Sequence, residues 1–215
     1  MLFPTSSPKR FSLSASTAAS TTSTASATTL SSSGTGLTGS WKVVSGSQAG
    51  YRVREKLGFL PAQSDAVGRT SQITGGATFS EAKGTVTITA ASFNVAVSTL
   101  KSDRSMRDEK IHEIGLESSR YPTATFTLST PLTASVSALE GKVAHLSVTG
   151  TFNIHGTAKK ETVPVEMSLS GSTFEAVGSL TFPWSEFGMT APSIGGFVNV
   201  TEKATMEFNL RLSRA

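Results

Sequence analysis

From Ala49 onward, apolar and polar side chains alternate in short runs, the period-two signature of strands with one buried face. Ala49, Tyr51 and Val53 alternate with Gly50, Arg52 and Arg54 and predict a first strand. Lys56 to Asp65, with Pro61, reads as a loop, and Val67 to Phe79 as a second strand bent at Gly75-Gly76, where glycine permits a barrel corner. Val86, Ile88 and Ala90 alternate with threonines, and Phe93, Val95 and Val97 continue on shifted parity. That shift predicts an extra residue at Ala91-Ser92. Ala124, Phe126 and Leu128 mark the next strand, then Leu146, Val148, Phe152 and Ile154 on one parity. Val163, Val165, Met167 and Leu169 follow a turn at Gly156. Val177 begins another strand, which Leu180, Phe182 and Trp184 extend; Phe187 and Met189 lie in a connection; Met206, Phe208, Leu210 and Leu212 close the chain.

One stretch breaks the alternation. Between Thr99 and Phe126 the residues read as a short helix, about residues 102–118, with Met106, Ile111, Ile114 and Leu116 as a modest apolar stripe. Ser102 or Asp103 is placed to cap it, and Asp103, Asp108 and Glu109 sit where a helix N-terminus favours negative charge. Tyr121-Pro122 ends it, because the residue before proline leaves the α region. A single helical excursion in an all-β pattern closes one end of a sandwich or barrel.

About eight antiparallel strands with glycine bends and short connections favour a closed barrel, since closure removes edges. Trp41, just after a Gly/Ser stretch, is placed across the barrel bottom. An eight-stranded barrel is wide enough inside for one slender ligand or for its own side chains; the pattern leaves both readings open.

Residues 1–38 are unlike the rest: about half Ser and Thr, with no acidic residue. Such a segment buries too little apolar surface to offset ordering entropy and reads as a disordered tail or tether, leaving 39–215 as one domain. The formal net charge is +4, and Lys9 and Arg10 contribute two of those charges. The domain is therefore near neutral, without a basic face interleaved with aromatics, which argues against nucleic-acid binding. With no cysteine, thiolate metal sites and cysteine nucleophiles are excluded. There is no apolar run long enough to span a membrane and no signal-peptide core at the start; a signal or anchor upstream of Met1 is one reading of the tail.

The pieces SWKVVSGSQAGYRVRE, AVGRTSQITGGATF, the Arg107-Asp108 pair, SSRYPTATFTL, GTFNIHGTAKKETVPVEM and WSEFGMTAPSIGG stand in the same order and spacing as in the YceI family, which this chain resembles from about Gly39 to Leu212. The resemblance implies a single eight-stranded, antiparallel, lipocalin-like β-barrel with a helix packed by it. It also implies a non-catalytic protein that encloses a polyisoprenoid or an isoprenoid quinone, in the periplasm or at the cell surface, with a homodimer among the states seen in such proteins. No cofactor beyond that bound lipid is expected. The alternative function is a stress-response or structural envelope module whose barrel is filled.

On parity, the expected ligand wall is Tyr51, Val53, Phe93, Val95, Phe126, Leu128, Phe152, Ile154, Val165, Met167, Phe182 and Phe208. Met167, Met189 and Met206 are pliant side chains suited to an irregular ligand. Ordinary core packing accounts for at least half of that set. Arg107 and Asp108 either meet a polar head or anchor the helix through charge-assisted hydrogen bonds. His155 reads as a neutral imidazole bonded to backbone, with ligand contact as the alternative. His112, His145 and His155 lack zinc spacing, and no nucleophile elbow, P-loop or dinucleotide fingerprint occurs. Asn199-Val200-Thr201 is a formal glycosylation sequon of a kind that arises often by chance.

Overall fold

The computed structural model describes residues 7–13, 36–57, 63–194 and 198–215. The alternating runs form twelve strands: β1 (Gly39–Val43), β2 (Gln48–Leu57), β3 (Gln63–Thr70), β4 (Ile73–Ala82), β5 (Thr85–Ala96), β6 (Thr123–Leu128), β7 (Leu132–Ser135), β8 (Ala144–Ile154), β9 (Thr157–Ser170), β10 (Thr173–Pro183), β11 (Ser193–Ile194) and β12 (Val198–Arg214). Among the described residues two short α-helices accompany them, α1 (Ser105–Lys110), which runs on into a wider π turn over Ile111–Gly115, and α2 (Val136–Leu139).

Eight of the strands close a ring in the order β1-β4-β5-β6-β8-β9-β10-β12, and β12 returns to β1 through pairs such as Trp41↔Arg214 and Val43↔Leu212. Every pairing between named strands is antiparallel. The hairpin β2–β3 continues the wall beyond β1 along the same side of β12. Two tight turns are set by residue pairs with positive φ, Lys83-Gly84 at 52° and 74° and His155-Gly156 at 53° and 74°, the geometry that matches the twist of a two-residue hairpin.

The closed end is built on aromatic packing. Trp41 stacks on Phe79 at 5.0 Å, and Phe79 meets Phe174 edge-on at 5.0 Å. The Trp41 indole N–H donates to the Leu37 carbonyl at 2.9 Å. Trp41→Phe keeps one six-membered ring against Phe79 but removes that bond and part of the buried indole, so a loss of about 2 kcal/mol in urea unfolding is expected. At the Gly75-Gly76 bend a Cβ on either residue would lie 2.1 Å from a backbone oxygen, of Ser92 or of Trp41 respectively. Only glycine lets these strands approach so closely.

Several sequence expectations are corrected. Both ends of the loop expected over Lys56–Asp65 are strand: β2 runs to Leu57 and β3 starts at Gln63, while residues 58–62 with Pro61 lie outside the described residues. The single bent strand Val67–Phe79 is two strands, separated at Ser71-Gln72. The extra residue on β5 is Thr89, since Thr78 pairs Ala90 and Phe79 pairs Ile88; it lies just before the predicted Ala91-Ser92. β10 begins earlier, at Thr173. Phe174, Ala176, Leu180 and Phe182 join the core while Val177 does not. Residues 7–13, within the stretch read as a tail, lie against the barrel, where the Ser7 hydroxyl donates to the Asp65 carbonyl at 2.7 Å.

Candidate functional site

On β2 the inward positions are Ala49, Tyr51, Val53 and Glu55, so the apolar parity ends on a carboxylate held inside the barrel mouth, 4% exposed. Helix α1 lies over this end and supplies the counter-charge. Arg107 grips Glu55 with two prongs, Nη2 to Oε1 at 2.5 Å and Nε to Oε2 at 3.3 Å, and its Nη1 donates to Asp103. Burial opposes the Arg107 charge, but the hydrogen bonds and charges of Glu55 and Asp103 more than offset it, raising its pKa above the ordinary arginine value. Asp108 works locally, its carboxylate accepting from the Ser102 backbone N–H at 2.8 Å.

Between α1 and the β2–β3 hairpin lies a cavity of about 490 Å³, bounded by Tyr51, Val53, Glu55, Met106, Arg107 and Ile111, with Pro192 and Val200 on the far side. That volume falls in the range of small-molecule sites. Tyr51 lines this cavity; its hydroxyl is itself buried, with the Ser102 side chain nearby but no partner within hydrogen-bond distance among the described residues. Its ring occupies a slot left by Gly68, where a Cβ would stand 2.3 Å from the Tyr51 ring. Burial pushes the Tyr51 phenol well above its usual pKa, so the hydroxyl remains a proton donor at neutral pH.

Deeper inside is a second, nearly all-carbon cavity of about 100 Å³, walled by Phe93, Phe126, Phe152, Met206 and Phe208 among others. It is smaller than the roughly 150 Å³ that accepts a benzene molecule. The inward row of β2 passes from this interior cavity at Ala49 to the mouth cavity at Tyr51 and Val53.

A barrel closed by eight strands, with a charged helix over a mouth that leads toward an apolar interior, is the arrangement to compare with known proteins. The sequence profile of the YceI-like domain matches residues 41–212, which is nearly the whole barrel. The chain belongs to the YceI-like family. Among solved structures, this YceI-like barrel is similar to a polyisoprenoid binding domain from Saccharophagus degradans implicated in plant cell wall breakdown: TM-score 0.60, 14% identity, covering 81% of this chain and 98% of that one. It is also similar to BcnA of Burkholderia cenocepacia (TM-score 0.53, 21% identity, 76% and 95% covered) and to the YceI protein of Campylobacter jejuni (TM-score 0.51, 13% identity, 74% and 91% covered). At these identities the likeness is one of fold. No curated protein matches the sequence.

Within the YceI-like barrel, the expected wall residues divide. Phe93, Val95, Phe126, Leu128, Phe152, Val165, Met167 and Phe208 line the interior cavity, and Tyr51 and Val53 the mouth. Ile154 and Phe182 line neither and are buried in packing, Phe182 edge-on to Phe187 at 4.7 Å. Arg107 lines the mouth and also anchors the helix. His155 donates its Nε2–H to the Glu117 carboxylate, 2.7 Å away, and packs on Tyr121, rather than bonding to backbone as expected. The helix is shorter than 102–118, and Arg104, not Ser102 or Asp103, occupies its N-cap position without a side-chain cap. Its stripe is also partial: Ile111 is buried, whereas Met106 is 71% exposed at the cavity edge and Ile114 is partly exposed. Glu55 was missed, although it continues the Ala49–Val53 parity and a carboxylate at an apolar position is the visible signal.

Tyr51 also gives a pH prediction. Its folded pKa is raised, so above about pH 10 the unfolded chain loses a proton that the folded chain keeps. Its contribution is therefore full below about pH 10 and is lost as pH climbs toward the folded pKa. Tyr51→Phe should flatten the alkaline fall in stability, as read from urea midpoints across pH 9 to 11 for both proteins.

Proposed function

We propose that this YceI-like barrel binds an isoprenoid amphiphile, a polyisoprenoid or an isoprenoid quinone, with its polar end in the mouth cavity and its apolar chain directed along β2 into the interior. The observation that carries this reading is a mouth cavity of about 490 Å³ lined by Tyr51, whose buried hydroxyl has no partner within hydrogen-bond distance among the described residues. A buried donor left unsatisfied is unfavourable by about 1–3 kcal/mol, and a ligand oxygen, such as a quinone carbonyl, would satisfy it. Arg104, Arg107 and Lys110 against Glu55 and Asp103 give the same cavity a positive balance, suited to an electron-rich head. Family membership and the polyisoprenoid binding domain among the structural neighbours support a lipid ligand.

Binding here is enclosure, not chemistry. Each CH₂-sized unit withdrawn from water contributes about 0.8 kcal/mol, while the head contacts select orientation. Since the interior cavity is only about 100 Å³, a long chain must displace side chains, and Met206 and Phe208 on β12 stand in its wall. The small interior favours a second reading, a non-catalytic envelope module with a filled barrel.

The two readings separate at Tyr51. Tyr51→Phe removes an unsatisfied hydroxyl, so the ligand-free protein should gain about 1 kcal/mol. The same change should weaken a short-chain isoprenoid quinone about tenfold, corresponding to ~1.4 kcal/mol, in a titration followed by calorimetry. A quinone that fails to bind wild type would leave the filled-barrel reading standing, whereas one that binds both proteins equally would remove the Tyr51 hydroxyl from the site.

A further inference from the structure

The outer wall of the barrel holds a second site. Arg52 and Glu207 point outward on β2 and β12, yet each is as buried as the core, at 4% and 2% exposure. Val67 and Val177, also outward by register, are equally buried while belonging to neither core cluster. Outward side chains of a barrel are solvated unless something covers them. The cover includes this chain's own residues 7–13.

The contacts form a row. The Arg52 guanidinium donates to the Pro8 carbonyl at 2.7 Å, and Arg69 to the Lys9 carbonyl at 2.5 Å. Arg69 also lies over the Phe11 ring, 3.9 Å from its centroid. The Leu13 backbone N–H donates to Glu166 at 2.8 Å. Beneath the segment, Glu207 ties both arginines in place, accepting from Arg52 Nε at 3.3 Å and Arg69 Nη2 at 2.8 Å, while Asp65 accepts from Arg52 Nη1 at 2.9 Å. Gly50 lies between Arg69 and Glu207 in the strand register and so adds no side chain to this reach. A cavity of about 210 Å³ remains beside Arg10 and Phe11, bordered by His145, Glu166 and Ser179.

These contacts read the main chain of a peptide. Two fixed guanidinium groups take successive carbonyls and a carboxylate takes an amide, which is main-chain recognition, while the cation–π contact selects an aromatic. We propose that the outer wall across β3, β2, β12, β10 and β9 is a binding groove for a basic–aromatic peptide, occupied in cis by Ser7–Leu13. The groove is independent of the lipid site, since its side chains point away from the barrel interior. An occupant tethered through residues 14–35 has a high effective concentration, so it excludes free competitors of the same sequence.

The test uses the full chain and a fluorescein-labelled peptide of the sequence Ser7–Leu13, followed by anisotropy. Wild type should bind it weakly, because its own segment fills the groove. Phe11→Ala, which loosens the resident segment, should bind it at least tenfold more tightly, and adding Arg69→Ala should abolish that gain. Leu13→Pro, which removes the amide that meets Glu166, should reproduce the Phe11→Ala gain. In hydrogen exchange the amide of Leu13 should be protected in wild type and exposed in Phe11→Ala, with β8 and β9 unchanged. Equal peptide affinity in wild type and Phe11→Ala, or none in either, would overturn the groove. A wild-type dimer that Phe11→Ala converts to monomer would overturn occupancy in cis, since the segment would then serve a second copy.

Discussion

Arg107→Ala is expected to lower stability by about 3 kcal/mol, because it strands the Glu55 carboxylate inside the barrel mouth without its partner. The pair is well enclosed, with side-chain exposures of 14% and 6%, and its two-pronged geometry leaves few substitutes. Breaking such a pair from one side leaves a buried charge, which is the origin of the usual 3–5 kcal/mol. The lower end applies here, since the neighbouring cavity gives water a route to Glu55. The double variant Arg107→Ala, Glu55→Ala should recover part of the loss, because the second change removes the stranded charge. Urea unfolding of the two single variants and the double variant gives the coupling directly. If Arg107→Ala alone is neutral, the helix is not held by this pair.

Phe79→Ala acts at the opposite end and should be costlier, about 4 kcal/mol. Phe79 is almost fully buried and joins Trp41 to Phe174. Truncation removes apolar area, two aromatic contacts and the support of the ring above, and strands locked in a closed barrel have little freedom to collapse into the space. Phe79→Leu should recover roughly half, since it refills part of the volume. The variant also tests closure: it should leave binding at the distant mouth unchanged while lowering the unfolding midpoint.

The strands were legible wherever side chains alternate against a single buried face. Val163, Val165, Met167 and Leu169 announce β9, and the register that follows puts them all in the core. Register fails to announce itself where backbone, not side chain, decides. The bulge at Thr89 lies within a run of Thr and Ala that suits either face, so the sequence shifts parity without showing where. Val177 was read only as the start of a strand, and its partners across the sheet, Glu166 and Asn209, mark it as outward. It borders the same cavity as Arg10 and Phe11, part of a cover that composition could not suggest, since Ser7–Leu13 carries two basic residues and no helical or strand pattern. The mouth was half legible. Arg107 was found by motif, but its role depends on Glu55, fifty-odd residues earlier in a stretch taken for the edge of a loop. Cavities depend on how neighbouring side chains divide the same space, and the twelve strands' parity does not contain that information.

The central claim is that the barrel takes an amphiphile through its mouth, and native mass spectrometry of the full chain, purified from cells without detergent, tests it most directly. The account predicts an adduct of lipid mass on the wild-type protein, released by organic solvent as an isoprenoid compound and diminished in Tyr51→Phe. Protein of bare sequence mass from lipid-rich cells, still unoccupied after incubation with isoprenoid quinones, would contradict it.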